Sequence, residues 1–390
     1  MTWMIPDIKL DPDQQQVRSI PLKSRQSTLI QGPAGSGKSV ILVKILQDIL
    51  QEYPNKKVCM VLFTRALIDM MKAGIADEFL DKFQILTSYE FQRNLTGSHW
   101  DVIIIDEFQD INDHLLNKAF EHANQVILAG DFAQSIYEQG CSISYFDSLQ
   151  NLGKLELKMI HRVPKSIQRI AGNFADNPEH FLRYEVSQLL ASVSVQLKSY
   201  PTHLQETRDV WLMAREYAGN GLSSAVIFPE NYDLVMFSNT VLEQEGQDSW
   251  KVTYKQFGRQ SSINYEDLNN YLRKNSIRLQ VIGKGEGSMK EADANNLVSI
   301  MTYHSSKGLD FETVFLPKLT RSTTFWSKPD IARRMFFVAL TRSRRDLFLS
   351  YYGDPHDFVK RIPEHLLSIK EYSEQNQRGE ATLSTDIIDF

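Results

Sequence analysis

The sequence contains few cysteines, no strong excess of charge of either sign and no long apolar run. Its 390 residues include only two cysteines, which excludes a disulfide-stapled scaffold and favours reduced thiols. Lysine and arginine number 43 against 48 aspartates and glutamates, so the formal net charge of −5 gives no global sign of nucleic-acid binding. Any such binding must therefore depend on a local groove.

Targeting and membrane-spanning patterns are also missing. Residues Met1–Pro6 contain no basic segment followed by an apolar core, so no signal peptide is expected. No apolar run approaches the roughly 20 residues that cross a bilayer. Together with the reduced cysteines, these features predict a cytoplasmic protein that has no membrane contact. A length of 390 residues leaves room for two or three domains.

The strongest pattern is Gly32–Ser39, which fits GxxxxGKS, the phosphate-binding loop of P-loop NTPases. Its glycines let successive backbone N–H groups face a polyphosphate, while Lys38 reaches the β- and γ-phosphates and the Ser39 hydroxyl can bind Mg²⁺. Segment 27–31 before the loop predicts a strand, and segment 40–50 after it predicts a helix. The residues of this loop predicted to bind ATP are Gly32, Gly35, Ser36, Gly37, Lys38 and Ser39.

Three consecutive glutamines precede the loop by about eighteen residues. A carboxamide can donate to and accept from an adenine edge, so one of them is a candidate for binding the base. The pattern does not decide between Gln14, Gln15 and Gln16, and we assign the contact to Gln14.

Paired carboxylates follow the apolar strand predicted over 101–105. At the end of a buried strand, Asp106 can hold Mg²⁺ and Glu107 can polarise an attacking water. A further apolar run, 126–130, predicts a strand that delivers Gln134 to the same edge, where its amide can contact the γ-phosphate. These residues predict a nucleotide-hydrolysing site beside the phosphate loop.

Two other predicted strands end in aromatic and hydroxyl side chains. One run is followed by Phe63 and Thr64, and the next by Thr87 and Tyr89. In a doubly wound sheet, residues just past the carboxyl ends of the strands contact the ligand, so these groups should line one edge. Aromatic rings that stack on bases and hydroxyls that contact the backbone suit a single-stranded nucleic acid.

Six motifs together resemble the superfamily 1 DNA helicases of the UvrD/Rep/PcrA type. Besides the phosphate loop, DEFQD at 106–110 and GDFAQSIY at 130–137 match in order and spacing. Residues 157–162 resemble the LxxNYR segment of the family, 302–311 its TxHxxKGLEF segment, and 333–342 its RRLxYVxxTR segment. Because six motifs match in order over nearly the whole chain, the resemblance is highly specific.

The resemblance implies an α/β fold of two RecA-like P-loop domains with parallel sheets, and an ATP site in the cleft between them. It implies a first domain over 1–150, a second over 151–355 and a helical or flexible tail over 356–390. The catalytic residues would be Lys38, Glu107, Gln134, Arg162 and Arg342. ATP would also contact His161, Gly308 and Asp310, and single-stranded DNA would contact Phe63, Thr64, Thr87, Tyr89, Thr302 and His304.

Several positions depart from the family pattern. His161 replaces an adenine-stacking tyrosine, Asp310 replaces a ribose-binding glutamate, and Gln139 stands where a base-stacking tryptophan is expected. Only about ten residues separate Tyr89 from the strand that opens at Asp101, and about seventy separate the strand over 225–228 from Thr302. These short connections leave no room for the two accessory insertions of full-length relatives.

The resemblance predicts an ATP hydrolase that needs Mg²⁺ and translocates 3′→5′ on single-stranded DNA, with strand separation and an RNA track left open. The alternative is a regulatory ATPase that senses DNA ends for a protein partner such as a nuclease, as in bacterial antiviral defence. The glycine-rich segment 283–288 is expected to be a mobile loop without a following helix. The acidic and apolar tip, 386–390, is expected to be a frayed terminus.

Overall fold

The computed structural model describes residues 4–24, 26–149, 152–190, 193–257, 260–325 and 328–372. Two parallel sheets, each covered by helices, confirm the predicted α/β class with two RecA-like domains. Because parallel strands are buried on both faces, they consist of nearly continuous apolar runs. Such runs are the segments whose secondary structure is easiest to predict from sequence.

The first sheet has six parallel strands in the order β3-β2-β4-β5-β1-β6. These are β1 (Thr28–Gln31), β2 (Val58–Leu62), β3 (Gln84–Thr87), β4 (Trp100–Ile105), β5 (Ala123–Gly130) and β6 (Gly153–Glu156). Its helices are α1 (Pro12–Ser24), α2 (Lys38–Glu52), α3 (Arg65–Gly74), α4 (Ser88–Arg93), α5 (Asp113–Glu121) and α6 (Ile143–Leu149). The carboxyl ends of these strands lie along one edge, which carries the phosphate loop.

A small parallel pair leads into the second sheet. The remaining strands are β7 (Met159–Ile160), β8 (Glu185–Val186), β9 (Val195–Tyr200), β10 (Ser224–Phe228), β11 (Tyr254–Phe257), β12 (Gln260–Ile263), β13 (Leu279–Val281), β14 (Val298–Thr302), β15 (Phe311–Leu316), β16 (Ser343–Tyr352) and β17 (Leu367–Glu371). The second sheet is parallel in the order β13-β14-β10-β15-β16-β9-β17, while β7 pairs with β8, and β11 and β12 form a hairpin.

The helices of this half are α7 (Lys165–Gly172), α8 (Pro178–Arg183), α9 (His203–Gly219), α10 (Asn231–Gln244), α11 (Tyr265–Lys274), α12 (Met289–Asn295), α13 (Pro329–Leu340) and α14 (Asp357–Lys360). Strand β10 ends at Phe228 as expected and begins one residue before the expected bound at 225. Each sheet has an apolar cluster on both faces. The cluster on one face of the second sheet also contains Ile136 from the first half, so the two halves pack against each other.

Three segments differ from the sequence-based expectations. Strand β6 pairs with β1, so the first sheet extends beyond the predicted boundary at residue 150. Strand β17 pairs with β9 inside the segment expected to be a helical or flexible tail. Helix α12 begins directly after Ser288, which caps it, although no helix was expected after the glycine-rich segment. All three elements are short or polar, so they carry little apolar periodicity.

Some other expectations concern single residues or the termini. Cys59 and Cys141 are both free and buried. Among the helices in the described ranges, none has the length and apolar character needed to span a bilayer. The predicted frayed tip at 386–390 lies outside the described residues.

Candidate nucleotide and nucleic-acid site

The phosphate loop connects β1 to α2 and takes its shape from glycines with positive φ. Gly35 has φ of 79° and Gly37 has φ of 87°, in the left-handed region where side chains are disfavoured. A Cβ at Gly35 would also lie 3.3 Å from Arg162 Cβ, so the loop packs closely on the segment that follows β7. Lys38 is buried and donates from Nζ to the carbonyls of Gly32, at 2.8 Å, and Pro33, at 3.2 Å.

Ser39 and Asp106 lie together at the start of α2. The Ser39 hydroxyl donates to Asp106 Oδ2 at 2.7 Å. Burial, together with the neighbouring Glu107 carboxylate, raises the pKa of Asp106 to about 6. A hydroxyl and a carboxylate are hard oxygen donors of the kind that Mg²⁺ takes when phosphates complete its shell, so the pair fits the predicted magnesium site. Within the described ranges no cluster of three or more His, Cys, Asp or Glu offers an all-protein metal site.

Glu107 follows directly and adopts a strained backbone conformation. Its φ is 52°, which is uncommon for a residue other than glycine. Its carboxylate accepts a hydrogen bond from the Gln109 amide and lies 4.0 Å from the Lys307 ammonium. Burial favours the neutral form, but Lys307 and Lys38 outweigh it and lower the pKa of Glu107 below its ordinary value. The carboxylate is therefore held charged, a state in which it can accept a proton.

Lys307 is a site residue to which the sequence analysis assigned no role. It follows β14 in the second half of the chain, and its Nζ lies 2.6 Å from Asp110 Oδ2 and 2.6 Å from the Gln134 carbonyl oxygen, both in the first half. It is 3% exposed. Burial raises the pKa of Asp110 to about 7 in spite of this cation. A lone lysine within the mostly small and apolar TxHxxKGLDF segment was the signal that could have drawn attention to it.

Gln134 and Arg342 meet across the same boundary. Gln134 donates from Nε2 to Asp131 at 2.9 Å, and its Oε1 accepts from Arg342 Nη2 at 3.4 Å. The rest of the Arg342 guanidinium donates to the Val338 and Leu309 carbonyls and the Thr341 hydroxyl. Burial, aided by the nearby Arg162 cation, lowers the pKa of Arg342 to about 10. In the part of the chain that the structure describes, no carboxylate lies within 4.0 Å of this guanidinium, which suits it to a phosphate oxygen.

Arg162 and Asp310 form an ion pair, with Arg162 Nη1 2.7 Å from Asp310 Oδ1. The other carboxylate oxygen of Asp310 lies 3.2 Å from Arg344 Nε, and Arg344 was not predicted as a site residue. Asp310, predicted to bind the ribose, is thus held between two arginines. Gly308 has φ of 80°, and a Cβ there would lie 2.3 Å from Leu67 Cδ2, so this glycine permits close packing of the two halves.

The residues predicted to bind adenine lie beside the phosphate loop. Of the three candidate glutamines, Gln14 is buried and donates from Nε2 to the Ser36 carbonyl at 3.0 Å, whereas Gln15 donates to the Leu10 carbonyl. Gln16 is exposed. The His161 backbone N–H donates to the Gly35 carbonyl at 2.8 Å. The structure therefore brings Gln14 and His161 to the same loop.

The four residues predicted to contact DNA from the first half lie in one cleft of about 470 Å³. Tyr89 is 67% exposed there. Thr64 and Thr87 also cap α3 and α4 through their hydroxyls. The cleft is lined by Phe63, Thr64, Arg65, Asp69, Thr87, Tyr89, Glu90, Arg93, Gly283, Lys284, Gly285, Glu286, Gly287 and Ser305.

The second half contributes differently from the prediction. Thr302 is 5% exposed, and its hydroxyl bonds to Ser305 at 3.1 Å. His304 packs against Tyr137, with ring centroids 5.7 Å apart, and Tyr137 packs against Phe63 at 4.4 Å. Neither Thr302 nor His304 lines the cleft, because the turn after β14 directs Ser305 into it. Ser305 and the glycine-rich segment line the cleft, although no sequence pattern pointed to them as site residues.

Comparison with known proteins identifies the family. A sequence model described as the UvrD-like helicase C-terminal domain matches residues 66–354, which is more than half of the chain. The chain belongs to the UvrD-like helicase family. A probable DNA helicase of Mycoplasma pneumoniae is 27% identical over 303 residues, covering 69% of this chain and 48% of that protein.

Other relatives match shorter parts of this UvrD-like chain. The ATP-dependent DNA helicase PcrA of Staphylococcus aureus is 29% identical over 143 residues, covering 32% of this chain and 18% of that protein. The crystal structure of arterivirus nonstructural protein 10, a helicase, aligns at a TM-score of 0.44 and 15% identity, over 90% of this chain and 63% of that chain. The UvrD-like chain spans about half the length of the Mycoplasma relative and 18% of the Staphylococcus PcrA.

A second cleft, of about 440 Å³, adjoins the first and shares Phe63 and Tyr89 with it. Tyr137 and Gln139 line it from the segment after β5. Gln139 is the position at which a stacking tryptophan was expected from the sequence, so an amide lines the cleft at this point. Tyr89 lies between the two clefts.

Proposed function

We propose that this UvrD-like chain hydrolyses ATP, with Mg²⁺, to move along single-stranded DNA in the 3′→5′ direction. The observation that carries the proposal is the convergence of the two halves on Gln134. Its side chain accepts from Arg342 and its backbone carbonyl accepts from Lys307, both from beyond residue 300. Loss of a γ-phosphate bound beside Gln134 would therefore alter contacts in both halves of the chain at once.

Each residue of the site has a distinct role in this proposal. Lys38 exchanges its loop carbonyls for phosphate oxygens, and Glu107 orients the attacking water and accepts its proton. Ser39 and Asp106 would hold Mg²⁺, which neutralises phosphate charge when bound. Arg342, together with Arg162, which pairs with Asp310 in the structure, would stabilise charge that develops in the transition state. Such arginines contribute about 10³–10⁵ in rate.

The DNA track in the proposal follows the cleft that contains Tyr89. Aromatic rings at Phe63 and Tyr89 can stack on bases, and Arg65 and Arg93 can face phosphates. The 3′→5′ direction rests on the family resemblance. Between β3 and β4 the chain has only the six-residue helix α4, so any duplex opening must proceed without an insertion there.

Steady-state ATP hydrolysis tests the proposal. The purified chain is assayed alone and with single-stranded DNA, duplex DNA or RNA, with Lys38→Ala as the blank and the exposed Lys154→Ala as a matched charge control. We expect strong stimulation by single strands, and loss of turnover in Lys38→Ala and Glu107→Gln but not in Lys154→Ala. Full turnover without nucleic acid would contradict the proposal.

Direction is tested separately by displacement of streptavidin from biotinylated oligonucleotides. A motor that moves 3′→5′ should displace streptavidin from the 5′ end faster than from the 3′ end. The alternative function, a DNA-end-sensing ATPase that regulates a nuclease partner, predicts little turnover under every condition until that partner is added.

A further inference from the structure

Asp11 completes a ring of hydrogen bonds around the phosphate loop. Its Oδ2 accepts from His161 Nε2 at 2.6 Å, and its Oδ1 accepts from the Gln14 backbone N–H at 2.8 Å. The Gln14 side chain accepts from the Asp11 N–H at 3.2 Å and donates to the Ser36 carbonyl. The His161 N–H closes the ring on the Gly35 carbonyl. Both residues expected to contact the base are thus tied to one carboxylate.

The two oxygens of Asp11 have separate tasks. Capping α1 needs one oxygen and is a structural task that serine or asparagine performs as well. Among the residues that the structure describes, the second oxygen accepts only from the imidazole of His161, a residue 150 positions away in the sequence. Because a carboxylate only accepts, His161 Nε2 must be the donor, which defines the ring's tautomer and orientation.

We propose that Asp11 is a positioning residue for the nucleotide base, which holds the His161 ring in the plane where it stacks on the base. This inference rests on the proposed ATP site. The His161 side chain remains 23% exposed, so the ring can still offer a face to a ligand. The His161 backbone N–H is already bound to the Gly35 carbonyl, so the ring can move only by side-chain rotation, and the hydrogen bond to Asp11 restricts that rotation. An untethered ring would lose rotamer freedom each time a base binds.

The test separates the base from the phosphates. Asp11→Ser keeps an N-capping hydroxyl but removes the oxygen that binds His161. Binding of Mg·ATP is measured by titration, and inorganic tripolyphosphate, which has no base, is the second probe. We expect the dissociation constant for ATP to rise about tenfold, with the constant for tripolyphosphate unchanged within about twofold. Asp11→Asn presents an NH2 group to His161, which can accept from it only in the other tautomer, so its effect should lie between those of wild type and Asp11→Ser.

A double-mutant cycle assigns the effect to His161. His161→Phe keeps an aromatic ring but removes its hydrogen bond, so adding Asp11→Ser to it should change ATP affinity by less than about twofold. Equal weakening of ATP and tripolyphosphate would overturn the inference, since it would show a disturbed phosphate loop. Additive effects in the cycle would overturn it as well. If the wild-type chain bound tripolyphosphate but not ATP, or neither, the proposed ATPase itself would fail.

Discussion

Replacing Lys307 with methionine removes the ammonium group that joins the two halves at Asp110 and the Gln134 carbonyl. Methionine keeps most of the apolar length, so the change isolates the charge. Lys307 is 3% and Asp110 4% exposed, and their charged atoms lie 2.6 Å apart. Removing one partner of such a buried pair costs about 3–5 kcal/mol, because the other is left uncompensated.

The stability lost in Lys307→Met should depend on pH, and the direction of that dependence follows from the pKa of Asp110. Burial already raises its pKa from 3.8 to about 7 with Lys307 present, so its contribution to stability falls as pH rises from about 4 through 7. Without the cation this pKa rises further. Near pH 6 Asp110 in the variant binds a proton and is neutral, so little unfolding free energy is lost. At pH 8.5 the variant must either bury an unpaired carboxylate or take up a proton from a solution that contains few. The deficit of Lys307→Met relative to wild type therefore grows from pH 6 to pH 8.5.

Urea unfolding at the two pH values measures this difference. Lys328→Met is the matched control, because Lys328 also pairs across the halves, with Glu138 at 3.7 Å, but the two side chains are 74% and 54% exposed. An exposed pair contributes below about 1 kcal/mol, with no pH dependence in this range. Adding Asp110→Asn to Lys307→Met should recover much of the loss. A variant within about 1 kcal/mol of wild type at both pH values would refute the reasoning.

Three further outcomes are expected. Burial raises the pKa of Glu206 from 4.5 to about 7, and its Oε1 accepts from Ser350 and the Lys318 N–H, which a glutamine oxygen can also do. In urea unfolding, Glu206→Gln should therefore stabilise the protein by up to about 3 kcal/mol at pH 8.5 and little at pH 4. Fluorescence titration should show Tyr89→Ala weakening single-stranded DNA binding about 5- to 100-fold, with the exposed Tyr254→Ala as the unaffected control. The logarithm of the binding constant should fall with that of salt concentration at a slope of roughly −0.7 per phosphate contacted.

The fold was predictable where a strand was both apolar and uninterrupted. Strand β4 ends at Ile105, and the carboxylates that follow it are in the predicted place. Strand β17 was missed because its sequence, LSIKE, is half polar and its residues are partly exposed at the sheet's edge. Strand β17 pairs with β9, which is distant in sequence, so local periodicity carries little of the signal for it.

The site was predictable to the extent that its motifs are local. The phosphate loop and the DEFQD segment each bring their own residues together within one turn of chain. The pairing of His161 with Asp11 and that of Lys307 with Asp110 span 150 and 197 positions, and no spacing rule connects such partners. Thr302 also shows what local sequence leaves out, since the hydroxyl predicted to contact DNA accepts a hydrogen bond from the Ser305 N–H in its own turn.

The left-handed backbone of Glu107 has a consequence for how this protein can change over generations. Glycine adopts such a conformation without strain, and asparagine does so more readily than glutamate, which loses of order 1 kcal/mol or more there. Selection for stability alone would therefore favour glycine or asparagine at this position. Under the proposed function, a lineage that keeps glutamate at 107 is selected for what the carboxylate does, and a homologue with glycine there would be free of the backbone strain but would lose hydrolysis.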